Sequence, residues 1–252
     1  MFLLAERHAL IRQRLDGDGR VLAGTLAREL LVSEDTIRRD LRLLAAEGAC
    51  RRVYGGAVAL AAADSPIDRR QREGLERKAA LATAGAVIPD AGSLVFIDAG
   101  STNLALAQAL PRDRGLSVAT NAPSIAAVLY DMPVFLVGGQ LDQHTGACLG
   151  ASALECLSNL RPDVSFIGVC GTDLEGATTA FSAEDAAFKR RLVAQSDSIV
   201  AMLTNEKFGA PAPYRITGTR ALDVLVVERD CPPEALVPFK QARARVVRAG
   251  KP

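Results

Sequence analysis

The residues with the clearest chemistry lie at the end of a predicted buried strand, residues 94–98. They combine a carboxylate, a glycine that lets a ligand approach the backbone, and three side chains suited to opening a helix. Free N–H groups, hydroxyls and the positive end of a helix dipole would meet there, which favours a phosphate or carboxylate ligand. Because turns capped by Ser or Thr are common in α/β folds, this run alone does not identify such a site. The residues are Asp98, Gly100, Ser101, Thr102 and Asn103.

Three later strand ends repeat this pattern of polar residues and glycines. Ligands of parallel α/β sheets bind at the carboxyl ends of the strands, so we expect chemistry at these junctions. Lys207 follows a further strand and would supply a cation, although a lone lysine near a turn is more often solvated. The strand-end residues are Thr120, Asn121, Gly138, Gly139 and Asp173.

A second stretch, residues 33–48, predicts a helix with its own start and stop signals. Ser33 is a good N-cap, because its hydroxyl can accept a backbone N–H of the first turn. Two acids follow it and place negative charge at the positive end of the helix dipole. Gly48 suits the left-handed conformation that often closes a helix.

This predicted helix has an aliphatic stripe and an arginine face. At 100° per residue, Leu41 and Leu44 fall within about 40° of Ile37, and two arginines lie roughly 140–200° away. A third arginine and a threonine lie on the flanks. Charge alone favours an ordinary solvated surface helix, yet the pattern also has the form of a DNA recognition helix. The outward polar residues are Thr36, Arg38, Arg39 and Arg42.

The flanks of this helix predict a small helical domain over residues 1–60. A first helix, a short strand at 20–22 and a second helix precede Ser33, which is helix-turn-helix order. The extended basic segment 50–58 fits a β-wing and carries Arg51 and Arg52. The region holds ten arginines and eight acids, so DNA binding is inferred from arrangement rather than from bulk charge. An ordinary surface helix does not explain an arginine face beside a basic wing.

The composition indicates a cytoplasmic protein of two domains. With 252 residues, 49% of them hydrophobic, the chain is long for one domain and comfortable for two. No apolar run is long enough for a membrane span, and the N-terminus lacks the order of a secretion signal. Five cysteines without a C-x-x-C pair indicate reduced thiols. We find no metal-ligand spacing and no Ser/His/Asp set, and we expect no cofactor.

Residues 61–87 predict a linker and a linker helix, and residues 88–252 predict an α/β domain. The segment 67–87 is charged in its first half and rich in alanine in its second. Its charged half is either solvated, or the helix packs against a partner subunit or the α/β domain. Aliphatic strands then alternate with helices, which predicts a mostly parallel sheet with helices on both faces. Strands are predicted at 94–98, 116–120, 134–137, 164–169, 198–203 and 223–227, and helices at 103–110, 123–130, 151–160 and 183–195.

Other residues are assigned structural roles. His8 lies on the apolar stripe of the first helix and is expected to be a half-buried packing residue. Cys170 lies near the predicted site and is expected to be a small apolar filler. The charged residues of the helix at 183–195 form pairs spaced four or five apart, which normally means surface support. These are Glu184, Asp185, Lys189, Arg190 and Arg191.

A specific pattern covers most of residues 3–58: Val32-Ser33-x-x-Thr36-Ile37-Arg38-Arg39-Asp40-Leu41, then Gly48, then Arg52-Val53-Tyr54-Gly55-Gly56-Ala57. It closely resembles the N-terminal signature of the DeoR-type bacterial transcription regulators. The resemblance implies a winged helix-turn-helix that binds operator DNA, with Asp40 orienting a neighbouring arginine instead of touching DNA. Which arginine reads a base is left open. The DNA-binding set is Ser33, Thr36, Arg38, Arg39, Arg42, Arg51 and Arg52.

The segment from about residue 70 to residue 227 resembles the C-terminal sensor domain of the same family. That domain is similar to ribose-5-phosphate isomerase and CoA transferases and binds phosphorylated sugars or related metabolites. This chain departs from the family at 204–206, where an Asp is usual, and at 176–182. The resemblance implies phosphate contacts from Gly100, Ser101, Thr102 and Lys207, and polar contacts from Asp98, Thr120, Asn121 and Asp173; Asn103, Gly138 and Gly139 complete the effector set.

The sequence therefore predicts a metabolite-responsive repressor of a carbohydrate or metabolite catabolic operon, acting as a homo-oligomer, dimer or tetramer. Its partners would be operator DNA and a phosphorylated effector, coupled by linkage, with no membrane contact. The alternative is an active sugar-phosphate isomerase fused to a DNA-binding module. Isomerisation needs a carboxylate base and a group that polarises the carbonyl, and Asp98 and Asp173 could be placed for it. The N-terminal domain, which no metabolic enzyme needs, argues against that alternative.

Overall fold

The computed structural model describes residues 4–18, 20–47, 49–53, 55–59 and 65–250. The chain divides into two compact units, Met1–Ser65 and Pro66–Pro252, and each is described by itself. Across the described part of the chain, no helix is long and apolar enough to cross a lipid bilayer.

Unit 1 is a three-helix domain with a small antiparallel sheet of order β1-β3-β2. The predicted strand at 20–22 pairs with the second strand of the wing, and the two wing strands form a hairpin closed through Gly55, which has a φ of +81°. A Cβ on Gly56 would lie 2.0 Å from the Val21 carbonyl oxygen, so the sheet requires glycine there. The elements are α1 Leu4–Asp18, β1 Arg20–Leu22, α2 Ala23–Glu29, α3 Glu34–Ala46, β2 Cys50–Val53 and β3 Gly56–Ala59.

Helix α3 begins as its capping residue dictates. Ser33 has extended backbone angles, and its hydroxyl accepts the backbone N–H of Thr36 at 3.1 Å. The predicted aliphatic stripe of Ile37, Leu41 and Leu44 is buried in the unit's core. Gly48 lies outside the described residues, so its predicted role in closing the helix stays a prediction.

Unit 2 is built on a seven-stranded sheet of order β15-β14-β12-β9-β4-β5-β6, in which every neighbouring pair is parallel. The strands of two smaller antiparallel sheets, β7-β8 and β10-β11-β13, lie in sequence between strands of the large sheet. The strands are β4 Leu94–Ile97, β5 Ser117–Thr120, β6 Val134–Leu136, β7 Gln140–Asp142, β8 Ala147–Leu149, β9 Val164–Ile167, β10 Gly171–Thr172, β11 Thr178–Ala180, β12 Ser198–Leu203, β13 Tyr214–Thr217, β14 Val224–Val227 and β15 Arg245–Arg248.

The helices of unit 2 follow the predicted rhythm, with α6 starting two residues earlier than expected. That start lies directly after Gly100, so the polar run opens the helix. The helices are α4 Ile67–Arg72, α5 Leu75–Ala86, α6 Ser101–Ala109, α7 Pro123–Val128, α8 Ala151–Ser158, α9 Ala183–Gln195 and α10 Val237–Gln241, with short 3-10 turns at Asn205–Lys207, Thr219–Ala221 and Pro233–Leu236.

The segment 67–87 forms two helices because Gly74, with a φ of +60°, separates α4 from α5. The apolar side of α5, with Leu81 and Ala82, is buried in the core of unit 2. A Cβ on Gly85 would meet the Met202 sulfur at 2.8 Å, so glycine lets the helix lie close to the sheet. Of the alternatives for this segment, the structure has α5 packed on its own α/β unit.

Candidate functional site

The outward face of α3 carries exposed arginines. Arg39 and Arg42 are exposed and make no side-chain hydrogen bond or ion pair to any described residue. Arg38 is also exposed, and its guanidinium donates to Glu34 at 2.6 Å. The hydroxyls of Ser33 and Thr36 lie 2.8 Å apart at the start of the helix. This face therefore leaves two guanidinium groups without a partner inside the described unit.

The inward face of α3 carries a buried carboxylate, Asp40. Its two oxygens accept from Arg7 of α1 at 2.8 and 3.1 Å, and the His8 ring lies 3.4 Å from one of them. This hydrogen bonding raises the pKa of Arg7. Asp40 therefore orients an arginine of the first helix, not one of the exposed arginines beside it. His8 is buried, beyond the half-burial expected of it, because it lies against this ion pair.

The wing carries the second arginine pair. Arg52 is exposed on β2. The backbone of Arg51 pairs with Val58 of β3, and its side chain lies outside the described part of the chain. The arginine positions thus lie on α3 and on the wing, the two elements that enter DNA in winged domains.

In unit 2, a cleft of about 450 Å³, counted with its open mouth, lies at the start of α6. Five of the predicted effector residues line it: Gly100, Ser101, Thr102, Asn103 and Lys207. The other polar residues that line the cleft were not among the predicted effector residues. These are Arg70, Thr145, Cys170, Asp185 and Lys189.

The floor of the cleft forms where the loops after β4 and β9 meet. The Gly168 N–H donates to Asp98 Oδ2 at 2.8 Å. A Cβ on Gly168 would lie 2.4 Å from the Ala99 carbonyl oxygen, so only glycine permits this approach. The Asn103 amide donates to the Asp98 and Phe166 carbonyls at 2.8 and 3.0 Å, which fixes the first turn of α6 to both strands.

Lys207 lies at the cleft with its ammonium partly withdrawn from solvent. Its Nζ donates to the Val169 carbonyl at 2.7 Å. Burial lowers its pKa to about 8, because the low-dielectric surroundings disfavour the charged form. A bound anion would stabilise the charged form and raise this pKa.

Three predicted residues support the cleft from behind. Asp98 is fully buried beneath the loop. The Thr120 hydroxyl donates to the Ile97 carbonyl at 2.6 Å, and the Asn121 side chain accepts the Ala99 N–H at 3.0 Å. These contacts hold the strand ends in place, and none of these side chains lines the cleft.

The remaining predicted residues do not line this cleft either. Asp173 accepts the Ala177 N–H at 2.7 Å and closes a turn. A Cβ on Gly139 would lie 2.4 Å from the Leu149 carbonyl oxygen, so this glycine, which follows Gly138, serves a close backbone approach. An effector role for these residues stays a prediction.

The expectation of surface support was wrong for Asp185 and Lys189, which are 1% and 3% exposed. The sequence held a signal for their burial: spaced four apart, they share a face of α9 with the buried Leu192, three residues further on. The burial brings Lys189 between Asp185, to which its ammonium donates, and Asp98, whose Oδ2 lies 3.6 Å away.

This buried cluster holds two carboxylates and one ammonium. Burial raises the pKa of Asp98 to about 6, although the neighbouring Lys189 ammonium opposes that shift. Burial disfavours the charged form of Lys189, but Asp185 and Asp98 overcome this and raise its pKa. Among the described residues, no group of three or more His, Cys, Asp or Glu is placed to hold a metal ion.

Two protein-family descriptions match the chain, the DeoR-like helix-turn-helix domain over residues 7–62 and the DeoR C terminal sensor domain over residues 73–229. The chain belongs to the DeoR family. The prediction of a DNA-binding transcription regulator of this family, with a winged N-terminal domain and an α/β sensor domain, is confirmed. The arginine face of unit 1 lies in the DNA-binding domain, and the cleft of unit 2 lies in the sensor domain.

Relatives within the DeoR family include two from Escherichia coli (strain K12). The glycerol-3-phosphate regulon repressor is 30% identical over 236 residues, which cover 92% of this chain and 93% of the relative. The HTH-type transcriptional repressor CsqR is 31% identical over 235 residues, which cover 91% and 89%. Both names are those of regulators, and they give no support to the alternative of an active isomerase.

Among solved structures, ribose 5-phosphate isomerase A from Methanocaldococcus jannaschii overlaps 52% of this chain and 52% of its own, with 11% identity and a TM-score of 0.39. This overlap is too loose to say anything about ligand or activity.

Proposed function

We propose that this chain is a transcriptional repressor that binds operator DNA through α3 and the wing. A phosphorylated sugar or related metabolite in the cleft would weaken that binding. One observation supports the effector class above all: the first turn of α6 and the ammonium of Lys207 line the same cleft. The name of one relative agrees with this class, since it refers to a glycerol-3-phosphate regulon.

The phosphate would lie at Ser101 and Thr102. The N–H groups in the first turn of a helix have no intrahelical acceptor and lie at the positive end of its dipole. The Thr102 hydroxyl makes no hydrogen bond to another described residue, so it is available as a donor. Lys207 retains two N–H donors beyond its bond to Val169. Charge-assisted hydrogen bonds of this kind are about twice as strong as neutral ones.

DNA would be read by the exposed face of α3. An arginine guanidinium can donate two parallel hydrogen bonds to guanine in the major groove, and Arg39 and Arg42 have no competing partner among the described residues. The wing arginines would bind the DNA backbone. The proposed DNA contacts are Ser33, Thr36, Arg38, Arg39, Arg42, Arg51 and Arg52.

Helix α4 would couple the cleft to the DNA-binding unit. It begins at Ile67, directly after the boundary between the units in sequence, and its Arg70 lines the cleft. The Ile67 N–H and the Arg70 guanidinium both donate to the His144 carbonyl, at 3.0 and 3.3 Å. A ligand that draws Arg70 towards a phosphate would change how α4 is held. Operator affinity then shifts by the difference in ligand affinity between the two forms.

The assembly that binds the operator would be a homo-oligomer, dimer or tetramer, in the cytoplasm. A single winged domain offers a small interface, and specific operators are usually read by symmetric pairs.

The test of the phosphate site is ligand binding by the full chain and by Thr102→Val. Calorimetry with ribose 5-phosphate, glucose 6-phosphate and glycerol 3-phosphate should find a phosphate ester that binds at least tenfold tighter than its dephosphorylated form, about 1.4 kcal/mol. Thr102→Val should weaken that ester at least tenfold, because it removes a donor from the cleft.

The matched control is Thr83→Val, since Thr83 is exposed on α5 and its hydroxyl donates within its own helix, to the Ala79 carbonyl. This variant should bind the ester like the wild type. A Thr102→Val protein with unchanged affinity would place the phosphate elsewhere in the sensor domain.

A further inference from the structure

The cleft lining also holds a buried carboxylate that the proposed phosphate site does not include. Asp185 lines the cleft although it is 1% exposed. Its Oδ2 accepts from the Lys189 ammonium, whereas its Oδ1 is buried and has no hydrogen-bond partner among the described residues. A buried charged oxygen that lacks a partner is destabilising, and such atoms are rare in native proteins.

Lys189 does not relieve this deficit. Its ammonium contacts Oδ2 of Asp185 and Oδ2 of Asp98. Asp98 lies behind the cleft and also accepts the Gly168 N–H. With two carboxylates for one ammonium, this part of the cleft has a negative balance, and Asp185 Oδ1 is a surplus acceptor. This part therefore suits a hydrogen-bond donor and opposes a second anion.

Another part of the cleft lining has the reverse character. The start of α6 and the ammonium of Lys207 present donors and positive charge. Inorganic phosphate or a simple phosphate ester would fill that part and leave Asp185 Oδ1 unpaired. A ligand that carries both a phosphate and hydroxyl groups would satisfy both parts.

We infer that Asp185 accepts a hydrogen bond from a hydroxyl group of the effector, so that the sensor selects polyhydroxylated phosphate esters, sugar or polyol phosphates, over phosphate itself. This inference rests on the proposed function, because it assumes that the phosphate lies at the start of α6. Asp185 sets selectivity for the body of the ligand, and Ser101, Thr102 and Lys207 set affinity for its phosphate.

The test is a calorimetric series on the full chain with four probes: ethyl phosphate, glycerol 3-phosphate, ribose 5-phosphate and glucose 6-phosphate. In the wild type, the tightest hydroxylated ester should bind at least tenfold tighter than ethyl phosphate. Asp185→Asn should reduce this ratio at least fivefold, because it affects the hydroxylated esters and not ethyl phosphate through the lost acceptor. Glu184→Gln, at the exposed neighbouring position, is the matched control and should keep the wild-type ratio.

Two results would overturn the inference. One is a wild-type protein that binds ethyl phosphate as tightly as every hydroxylated ester, a comparison that decides the matter even if Asp185→Asn fails to fold. The other is a folded Asp185→Asn protein that weakens all four probes equally, as expected if the carboxylate only supports the cleft or holds a water molecule. Failure of the proposed function looks different, since then no phosphate ester, ethyl phosphate included, binds to the cleft.

Discussion

The two units bury carboxylates in opposite ways. In the DNA-binding unit, both oxygens of Asp40 accept hydrogen bonds from Arg7. In the sensor unit, Asp98 and Asp185 share the ammonium of Lys189, and Asp185 Oδ1 has no hydrogen-bond partner among the described residues. A fully paired buried charge joins elements of a fold, whereas an incompletely paired one in a cleft is typical of a binding site. The same residue type therefore links two helices in one unit, and we propose that it binds the ligand in the other.

The largest effect on stability is expected from removing the buried ion pair between Arg7 and Asp40. Asp40→Ala leaves Arg7 without its carboxylate partner between α1 and α3, which should cost about 3 kcal/mol of unfolding free energy. Urea unfolding of the full chain, with hydrogen exchange to locate the change in residues 4–47, measures this loss.

The control for Asp40→Ala is Asp35→Ala on the same helix. Asp35 is exposed in the first turn, so its loss removes only a dipole interaction of about 0.3–1 kcal/mol. Equal losses from the two variants would mean that the buried ion pair contributes nothing beyond a surface charge.

A smaller effect is expected on the outward face of α3, where the charges lack partners. Arg39→Ala should weaken operator binding by about 2 kcal/mol if Arg39 reads a base, with relaxed preference at one position of each half-site. Arg52→Ala on the wing should instead weaken binding to all sequences alike and reduce the salt slope by about one. Both variants should keep the wild-type melting temperature. Normal operator binding by Arg39→Ala would show that the reading face is misassigned.

In the sensor unit, the cation at the proposed phosphate site should make ligand binding dependent on pH. Burial lowers the pKa of Lys207 to about 8, so the free protein loses this charge as the pH rises through 8. Affinity for the phosphate ester should begin to fall as the pH approaches 8 and should then decline by at most about tenfold (1.4 kcal/mol) per pH unit.

Lys207→Arg tests the cause of this decline. The guanidinium stays charged to beyond pH 12, so a variant that still binds the ester should do so with constant affinity from pH 8 to 10. A decline of the same size in the variant would assign the titration to another group.

Among the buried carboxylates, Asp185 is expected to contribute least to stability. Its replacement by Asn leaves Lys189 paired one to one with Asp98, and the amide oxygen can still accept from the ammonium. The unfolding free energy should change by less than about 1 kcal/mol, because removal of the surplus buried charge offsets the weakening of the hydrogen bond to Lys189. A loss of unfolding free energy as large as that of Asp40→Ala would show that Asp185 stabilises the fold in the same way as Asp40.

The features that could be predicted from the sequence depend on interactions between residues close together in the chain. The cap and stripe of α3 and the start of α6 are set by residues within one or two turns, so periodicity and capping rules found them. The ion pair between Arg7 and Asp40 spans 33 positions in sequence, and only tertiary packing brings these residues together. No local signal pairs them.

The same reason explains the missed part of the site. The charge of Asp185 and Lys189 predicted a solvated surface, and their burial results from the packing of α9 over the strand end at Asp98. Several strands were not predicted. The two-residue strand β10 is too short for a periodic signal, and β15 begins and ends with arginine, so it lacks the aliphatic run of the other strands.

The most direct test of the account is release of DNA by the ligand. A duplex selected by the full chain from a random-sequence pool is labelled, and its binding is followed by fluorescence anisotropy at fixed salt during titration with the tightest phosphate ester. We expect the ester to weaken DNA binding by the wild type at least fivefold. We also expect Thr102→Val to bind the duplex normally and no longer to respond at those ester concentrations. An ester that saturates the cleft and leaves DNA affinity unchanged would contradict the claim that this cleft controls the repressor.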